Sequence, residues 1–472
     1  MENKKEILRI FELQNDIENL NSLKNSSANE RITKIKSILQ YILNPAKHKL
    51  IAEGLFIDLH KSNEEVITTE ISPLIITIKE VVKKLKSWMK DEHVPSPITM
   101  TGMSSYIKYE GKGTVLILSP WNYPFQLTIY PLIYAIAAGN AVIIKPSEIA
   151  DKTSSVISAM IKELFDENEV SVIQGDVKTA TELLKKPFNH IHFTGSPKVG
   201  KIVMAAAAKN LSGVTLELGG KSPVIIDETC NIKNAAEKVA WAKSLNCGQT
   251  CIAPDYALVH ESQLSEFISA FKNTIEKFYN PNEKGIDSSK DYGRIINLPN
   301  FKRIKDLVDN AVSNGAKIEM GGDFKENQKF ISPTLINNVK MEMEIMKEEI
   351  FGPILPIISY KSKDEAIQTI QKLPTPLAFY VMSNKRSNIN YFLNNTASGG
   401  SCINELMLTS VNPHLPFGGL NNSGIGKSNG KHSFEDFSNP RGIVKRNWGT
   451  LKPIYPPFNS KIFKYFKKIV SI

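Results

Sequence analysis

The chain has 472 residues, 42% of them apolar, which is enough material for two or three domains with sizeable cores. The lysines behind its net charge of +10 are scattered along the whole chain, so the charge does not indicate a nucleic-acid partner. Four unevenly placed cysteines cannot form a disulfide framework, and the N-terminus lacks the apolar stretch of a signal peptide. Both features favour a cytoplasmic protein.

The first hundred residues are rich in lysine, glutamate and asparagine. Their apolar positions follow helical spacing, as at Leu13, Ile17 and Leu20, which predicts helices packed against another part of the protein. The most apolar stretch, 130–144, contains a proline and a glycine and is too short to cross a bilayer. We therefore expect a buried helix there, followed by a buried strand.

Short apolar runs alternate with helical patterns over the next hundred residues. Strands are predicted over 114–118, 141–144, 170–173, 191–193 and 214–218. Such alternation predicts a parallel, doubly wound sheet, in which ligands bind at the carboxyl ends of the strands.

A second α/β region follows the first. It begins with a predicted strand at 256–260 and continues with amphipathic helices over 264–278 and 301–312, the latter ended by Gly315.

Seven loops marked by glycine or proline interrupt these elements, and such loops carry function in α/β proteins. In chain order they read SPWNYPF (119–125), KPSE (145–148), FTGSPKVG (193–200), LELGGKSP (216–223), NCGQTC (246–251), EEIFGP (348–353) and LPFGGLNNSGIG (415–426).

Two of these loops have residues suited to a nucleotide. Gly195 and Ser196 follow a strand and precede a helix that holds Gly200 in its first turn, and bare amides at a helix N-terminus suit a phosphate. A plain helix cap explains the same pattern, because the loop is not the G-x-G-x-x-G fingerprint. Lys145 and Glu148 follow another strand, where they fit either ribose hydroxyls or a 2′-phosphate, or else a solvated turn.

Cys247 and Cys251 lie four positions apart in the fifth loop. Their spacing is not C-x-x-C, and no second cysteine pair or histidine pair supplies further zinc ligands, so we expect neither a redox pair nor a metal site. A disulfide is disfavoured by the expected reducing compartment. The residues leave two readings open, one catalytic thiol or two structural cysteines.

Taken together, in this order and at this spacing, the seven loops resemble the aldehyde dehydrogenase superfamily from about Gly111 to Pro440. The C-terminal segments GKHSFEDFS and YPPFNSK resemble its class 3 branch, which includes fatty and aromatic aldehyde dehydrogenases. The resemblance implies an α/β protein with a Rossmann-like cofactor-binding domain, a second α/β catalytic domain and a small bridging or oligomerisation segment. The domain boundaries that it implies are 1–215 for the cofactor-binding domain, with a bridging hairpin near 91–110, and 216–405 for the catalytic domain. The bridging or oligomerisation segment would cover 406–446, and a C-terminal tail 447–472.

The resemblance also implies the catalytic roles. Cys251 corresponds to the family's nucleophile, with Cys247 as a neighbour, and its thiolate would attack the aldehyde to give a thiohemiacetal. Asn122 and the backbone N–H of the cysteine would stabilise the oxyanion. Hydride transfer would leave a thioester, which water activated by Glu217 would cleave. No metal is implied.

The implied cofactor is NAD, with NADP as an alternative. Glu148 should repel a 2′-phosphate, yet class 3 enzymes tolerate both cofactors. The resemblance assigns two groups of residues to cofactor binding: Lys145, Glu148, Gly195 and Ser196, with Gly200 beside them, on the adenosine and pyrophosphate side, and Glu349 and Phe351 at the nicotinamide ribose and ring.

The expected function is therefore NAD(P)-dependent oxidation of aldehydes to carboxylic acids. The aromatic residues Trp121, Tyr123 and Phe125 favour medium- or long-chain aliphatic or aromatic aldehydes. A semialdehyde dehydrogenase is an alternative, but it needs a cationic anchor that the sequence does not reveal. A catalytically silent homologue is the other alternative, and it has no reason to keep Asn122, Glu217 and Cys251 together.

The expected partners are an aldehyde and, by resemblance, a second copy of the chain in a homodimer. The tail KIFKYFKKIVSI reads as an amphipathic helix, with Ile462, Phe463, Phe466, Ile469 and Val470 on one face and Lys464, Lys467 and Lys468 largely on the other. Such a helix favours weak peripheral membrane contact, or else docking on the protein body or a second subunit.

Overall fold

The structure is a computed structural model that describes residues 2–451, 455–456 and 461–470. Its strands are β1 Glu92–Val94, β2 Met103–Gly111, β3 Thr114–Leu118, β4 Ala141–Lys145, β5 Val170–Val172, β6 His190–Thr194, β7 Gly213–Glu217, β8 Pro223–Ile226, β9 Tyr256–His260, β10 Lys317–Met320, β11 Phe324–Lys325, β12 Phe330–Ile331, β13 Thr334–Asn337, β14 Ile354–Tyr360, β15 Ala378–Met382, β16 Gly400–Ile403, β17 Gly424–Ile425 and β18 Ser438–Arg446.

Its α-helices are α1 Glu2–Gln14, α2 Ile17–Asn25, α3 Ala28–Leu43, α4 Pro45–Leu59, α5 Asn63–Val66, α6 Ser72–Trp88, α7 Gln126–Ala138, α8 Asp151–Leu164, α9 Val177–Leu183, α10 Pro197–Ala208, α11 Ile232–Ser244, α12 Leu264–Tyr279, α13 Leu298–Ser313, α14 Lys363–Gln371, α15 Arg386–Asn394, α16 Lys431–Asp436 and α17 Lys461–Val470. A π-helical turn, Ile67–Ile71, joins α5 to α6.

The first sheet contains six strands in the order β17-β7-β6-β3-β4-β5, and all neighbours are parallel except β17 and β7. The observed strands confirm the expected doubly wound arrangement. The chain moves outward from β3 to β5 and then crosses to β6 on the other side. The strand order therefore reverses between β3 and β6, where ligands bind in such sheets.

The second sheet contains seven strands in the order β10-β13-β14-β9-β8-β15-β16, parallel except for the pair β10 and β13. Helices α11, α12 and α13 cover it with amphipathic faces whose buried residues include Phe267, Phe271 and Phe301. The expected second α/β unit is confirmed. Together the two sheets form the predicted α/β fold.

The third sheet is small and antiparallel, in the order β1-β2-β18. Strand β18 pairs with β2 along nine residue pairs, from Ser438 and Gly111 to Arg446 and Met103. Because these strands are more than 300 residues apart, local sequence patterns could not indicate the pairing.

Helices at the N-terminus pack against the first sheet, as expected. The apolar spacing of Leu13, Ile17 and Leu20 does not form one helix, because Asp16 caps α2 and accepts hydrogen bonds from the amides of Glu18 and Asn19. The break leaves Leu13 and Ile17 exposed on the surface.

The C-terminal tail contains the predicted helix, α17. Lys464, Lys467 and Lys468 are exposed on it. The side chains of Ile462, Phe466, Ile469 and Val470, which belong to the predicted apolar face, lie outside the described residues.

Candidate active site

The predicted site loops meet at the carboxyl ends of the parallel strands. Strand β3 leads into the loop of Asn122, β4 ends at Lys145, β6 leads to Gly195, and β7 ends at Glu217. The loop of Cys251 lies between α11 and β9 of the second sheet and is hydrogen-bonded to the Asn122 loop. The candidate catalytic residues therefore lie in the cleft where the two sheets meet.

The loop before Cys251 contains a left-handed turn. Asn246, Cys247 and Gly248 have φ values of 50°, 54° and 72°, a conformation that costs about 1–2 kcal/mol for each residue other than glycine. Gly248 is required there, because a Cβ atom would lie 2.3 Å from the backbone oxygen of Gly352. Such strain persists only where the surroundings impose it, and it is typical of functional sites.

The two cysteines of this loop occupy different environments. Cys247 is fully buried, and its Sγ lies 3.5 Å from the hydroxyl of Tyr292. Cys251 is only half-buried. Burial raises the pKa of each thiol to about 12, so accessibility, not acidity, separates the two cysteines. At Cys251 the nearby carboxylates of Glu349 and Glu217 oppose the thiolate further.

Asn122 is held against the cysteine loop. Its side-chain Nδ2 donates one hydrogen bond to the backbone oxygen of Gln249, at 3.0 Å. The hydroxyls of Tyr123 and Thr250, next along the two loops, are 2.6 Å apart. An amide nitrogen carries two hydrogens, and the bond to Gln249 is the one hydrogen bond that Nδ2 of Asn122 donates within the described residues, so its second N–H can face a ligand at Cys251.

Glu217 lies at the end of β7, clamped between β6 and β17. Its Oε1 accepts a hydrogen bond of 2.6 Å from the hydroxyl of Ser428, while its Oε2 is buried without a hydrogen-bond partner in the described part of the chain. Burial raises the pKa of Glu217 to about 7, and Ser428 opposes that rise. A carboxylate with one open acceptor and such a pKa suits a general base at neutral pH.

Glu349 is a second carboxylate in the cleft, half-buried and next to Gly219. A Cβ atom at Gly219 would lie 2.1 Å from Oε2 of Glu349, so only glycine admits the carboxylate at this place. Burial and the charge of Asp255 raise the pKa of Glu349 to about 8. Asp255 itself is paired with Lys221.

The residues expected to bind a nucleotide lie along the ends of β4 and β6. Lys145 and Glu148 form an ion pair with each other. Gly195 has no room for a side chain, because a Cβ atom would lie 2.4 Å from the ring of Phe193, and Ser196 caps α10 through its hydroxyl. A backbone without side chains at a helix N-terminus fits a pyrophosphate. These residues therefore fit a dinucleotide.

Gly200 and Phe351 are the other two residues expected at the cofactor, and their surroundings differ. Gly200 is buried beneath Leu218, where a Cβ atom would lie 2.7 Å from the leucine side chain, so it permits close packing of α10. The ring of Phe351 is half-buried and packs edge-on against Trp121, with ring centroids 5.2 Å apart.

Of the three aromatic residues that the sequence placed beside the site, only one can contact a substrate directly. Phe125 is fully buried in the core. Tyr123 is buried with the ammonium of Lys61 3.9 Å from its ring centroid. Trp121 remains half-exposed. Of these three loop residues, Trp121 is therefore the one with substantial exposed surface.

Ser428 is a site residue that the sequence analysis missed. It follows the LPFGGLNNSGIG loop, and a lone serine in a polar segment carries no local signal. Its neighbour Lys427 donates to the backbone oxygens of Gly418 and Gly419, at 2.5 and 3.0 Å, so the loop folds back on itself and brings Ser428 to Glu217.

The described residues contain no group of three or more histidine, cysteine, aspartate or glutamate side chains arranged to hold a metal ion. Within the same part of the chain, none of the helices has the length and apolar content needed to cross a membrane. All four cysteines are free.

Known proteins resemble this chain closely. The sequence profile of the aldehyde dehydrogenase family matches residues 13–443. The 4,4'-diaponeurosporen-aldehyde dehydrogenase of Staphylococcus aureus is 46% identical over 418 residues, covering 88% of this chain and 90% of that protein. A dimeric, NADP-preferring aldehyde dehydrogenase of Rattus norvegicus is 41% identical over 94% of this chain and 97% of its own.

The fold is equally similar to a solved structure. Staphylococcus aureus AldH in a substrate-bound state superposes with a TM-score of 0.93 and 42% sequence identity, covering 98% of this chain and 99% of that one.

Proposed function

The chain belongs to the aldehyde dehydrogenase family and oxidises aldehydes with NAD or NADP, and on that premise we propose that Cys251, Asn122 and Glu217 carry the reaction. The observation that supports this assignment most strongly is the contrast between the two cysteines. Cys251 is half-buried in the cleft beside Asn122, whereas Cys247 is sealed in the core. Only an accessible thiol can attack a substrate.

In the proposed reaction, the sulfur of Cys251 attacks the carbonyl carbon and forms a thiohemiacetal. The free N–H of Asn122 and the backbone N–H of Cys251 stabilise the oxyanion, an effect that is large in a water-poor site. Burial raises the pKa of the thiol to about 12, so the proton leaves the sulfur for solvent as the carbon–sulfur bond forms.

The bound nicotinamide cofactor supplies the acceptor for the substrate's hydride. The residues that would hold it are Lys145, Glu148, Gly195 and Ser196 on the adenosine and pyrophosphate side, with Glu349 and Phe351 on the nicotinamide side.

Release of the product depends on Glu217. Its unpartnered Oε2 takes a proton from water, whose oxygen attacks the thioester on Cys251. The carboxylic acid then leaves and the sulfur regains its proton. Ser428 keeps the other oxygen of Glu217 in place throughout.

We propose medium- or long-chain aliphatic and aromatic aldehydes as substrates. Trp121 and Phe351 offer half-exposed aromatic surface at the cleft. One relative is named for 4,4'-diaponeurosporen-aldehyde, and this compound therefore joins the aldehydes to be assayed.

We further propose that the chain is a cytoplasmic homodimer with weak peripheral membrane contact through α17. The name of the rat relative describes it as dimeric, and free cysteines suit a reducing compartment. The proposed division into a cofactor-binding domain (1–215), a catalytic domain (216–405), a bridging region (406–446) and a tail (447–472) is supported by the separation of the six-, seven- and three-stranded sheets.

The test is an assay of NADH formation with benzaldehyde, a series of straight-chain aldehydes and 4,4'-diaponeurosporen-aldehyde. Cys251→Ser should lose activity while cofactor still binds, because a serine hydroxyl with a high pKa cannot replace the thiol. Cys247→Ser is the matched control and should remain active. The reverse behaviour of the two variants would refute the choice of nucleophile.

A further inference from the structure

Three charged side chains of the N-terminal helical region lie buried beneath the active-site loops. Lys61 and Glu70 have side chains that are 0% exposed, and Glu65 is 8% exposed. Burying charges is costly, and an ion pair in a core adds little net stability compared with well-packed apolar residues. The position of these three residues therefore calls for an explanation other than stability.

The pair of Lys61 and Glu70 holds the two ends of one short segment. The ammonium of Lys61 lies 2.6 Å from Oε1 of Glu70 and donates to the backbone oxygen of Asn122 at 3.1 Å. The other oxygen of Glu70 accepts from the backbone N–H of Gln126 at 2.8 Å. Between these anchors, the Lys61 ammonium sits 3.9 Å from the centre of the Tyr123 ring. The segment from Asn122 to Gln126 is thus fixed at both ends.

Glu65 holds the cysteine loop in the same way. Its Oε1 accepts a hydrogen bond of 2.8 Å from the backbone N–H of Asn246, the first residue of the left-handed turn. The side chain of Asn246 donates to the backbone oxygens of Asn122, at 2.8 Å, and Gln249, at 3.1 Å. The oxygen of Asn122 is therefore shared between Lys61 and Asn246, which joins the two loops at one atom.

The π-helical turn at Ile67–Ile71 explains how both acids face the loops. In a regular α-helix, residues five apart point about 140° away from each other. Here the amide of Ser72 bonds to the oxygen of Ile67, five residues back. This wider turn reduces the angle around the helix axis between the side chains of Glu65 and Glu70. Such turns occur frequently at functional sites.

We propose that Lys61, Glu65 and Glu70 are positioning residues that fix the amide of Asn122 relative to the sulfur of Cys251. They are buried behind the two loops and act through the backbone of those loops. The inference rests on the proposed roles of Asn122 and Cys251. It adds that the N-terminal helices, which carry none of the motif loops, set the geometry of the oxyanion site.

Two pairs of variants test the proposal. Glu65→Leu removes the acceptor for Asn246, whereas Glu65→Gln keeps an oxygen at that place and removes only the charge. The double variant Lys61→Met with Glu70→Gln removes the Lys61 bond to Asn122 without leaving an unpaired buried charge, so it keeps the proposal testable if Glu65→Leu does not fold. Leu74→Ala, a buried change on α6, is the control for general destabilisation.

The measurements are the rate of the first turnover of NADH, the KM for aldehyde, the affinity for NADH and the melting temperature. A fifth measurement is the rate of alkylation of Cys251 by iodoacetamide, followed by mass spectrometry. It reports the position of the loop whether or not Cys251 is the nucleophile. A failure of the proposed function, seen as an active Cys251→Ser variant, is therefore distinguishable from a failure of this inference.

We expect Glu65→Leu and the double variant to slow the first turnover by about 10- to 100-fold, since small misplacements of catalytic groups have effects of this size. Their KM and NADH affinity should change much less, and alkylation of Cys251 should differ from that of the unchanged protein by more than about threefold. Glu65→Gln should restore the first turnover to within about threefold, and Leu74→Ala should lower only the melting temperature. The proposal would be overturned if Glu65→Leu and the double variant fold and their rate of first turnover is unchanged. It would also be overturned if Glu65→Leu and Glu65→Gln lose the same fraction of that rate.

Discussion

Replacing Ser428 by alanine should shift the pH dependence of catalysis without removing any reacting group. The hydroxyl of Ser428 donates a hydrogen bond of 2.6 Å to Glu217. It thereby stabilises the charged form of the carboxylate and holds its pKa down to about 7, against the larger opposing effect of burial. The alanine variant keeps the paired backbone bonds between Ser428 and Phe417, so the loop should stay in place.

The size of the shift follows from the strength of that bond. A hydrogen bond to a charged group contributes about 1.5–3 kcal/mol, and one pKa unit corresponds to about 1.4 kcal/mol. The pKa of Glu217 should therefore rise by roughly 1–2 units. At pH 7 the ionised fraction would fall from about one half to between roughly a tenth and a hundredth, which slows thioester hydrolysis by about 5- to 50-fold.

The assay follows hydrolysis of the acyl-enzyme as a function of pH, from below neutral to about pH 10. A base must be deprotonated to act, so the rate is lost as pH falls through the pKa, and the variant should recover at higher pH than the unchanged protein. Ser438→Ala is the matched control, because Ser438 is also buried and its hydroxyl donates to the backbone oxygen of Phe434 at 2.6 Å. An unshifted acid limb, or a loss that is the same at every pH, would refute this account of Ser428.

Two further changes have defined outcomes. Asn122→Ala should lower kcat by about 10²- to 10³-fold with cofactor binding retained, because one oxyanion donor is lost; a change below about fivefold would contradict the donor role. Truncation after Ser460 should abolish co-sedimentation with phosphatidylserine vesicles at low salt, because each exposed lysine of α17 near anionic lipid contributes about 1 kcal/mol. Equally negligible binding of the full-length and truncated proteins would leave the tail with a packing role only.

The sequence predicted the central strands and the loops after them because both have local signals. Buried strands are short apolar runs, and β3, β4 and β9 were predicted to within one residue at each end. The loops of Asn122, Glu217 and Cys251 carry glycine, proline and the motifs by which the family resemblance was identified. These residues lie next to their strands in the chain, so their position in the cleft follows from the strand order.

The residues that support the site were not predictable in this way. Lys61, Glu65 and Glu70 lie in an amphipathic region where charges ordinarily face solvent, and only the packing of that region against the first sheet buries them. Ser428 reaches Glu217 from 211 positions away in the chain. The left-handed turn at Asn246 also lacked a signal, because non-glycine residues adopt that conformation only when surrounding contacts impose it.

The central claim is that Cys251 forms the acyl intermediate and that Glu217 activates the water that releases it. Its most direct test is the intact mass of Glu217→Gln after mixing with benzaldehyde and NAD. The amide cannot take a proton from water, so NADH should form in a single burst and the protein should retain a benzoyl group that peptide mapping places on Cys251. A variant that turns over continuously and carries no acyl group would contradict the role of Glu217, and an acyl group on another residue would contradict the role of Cys251.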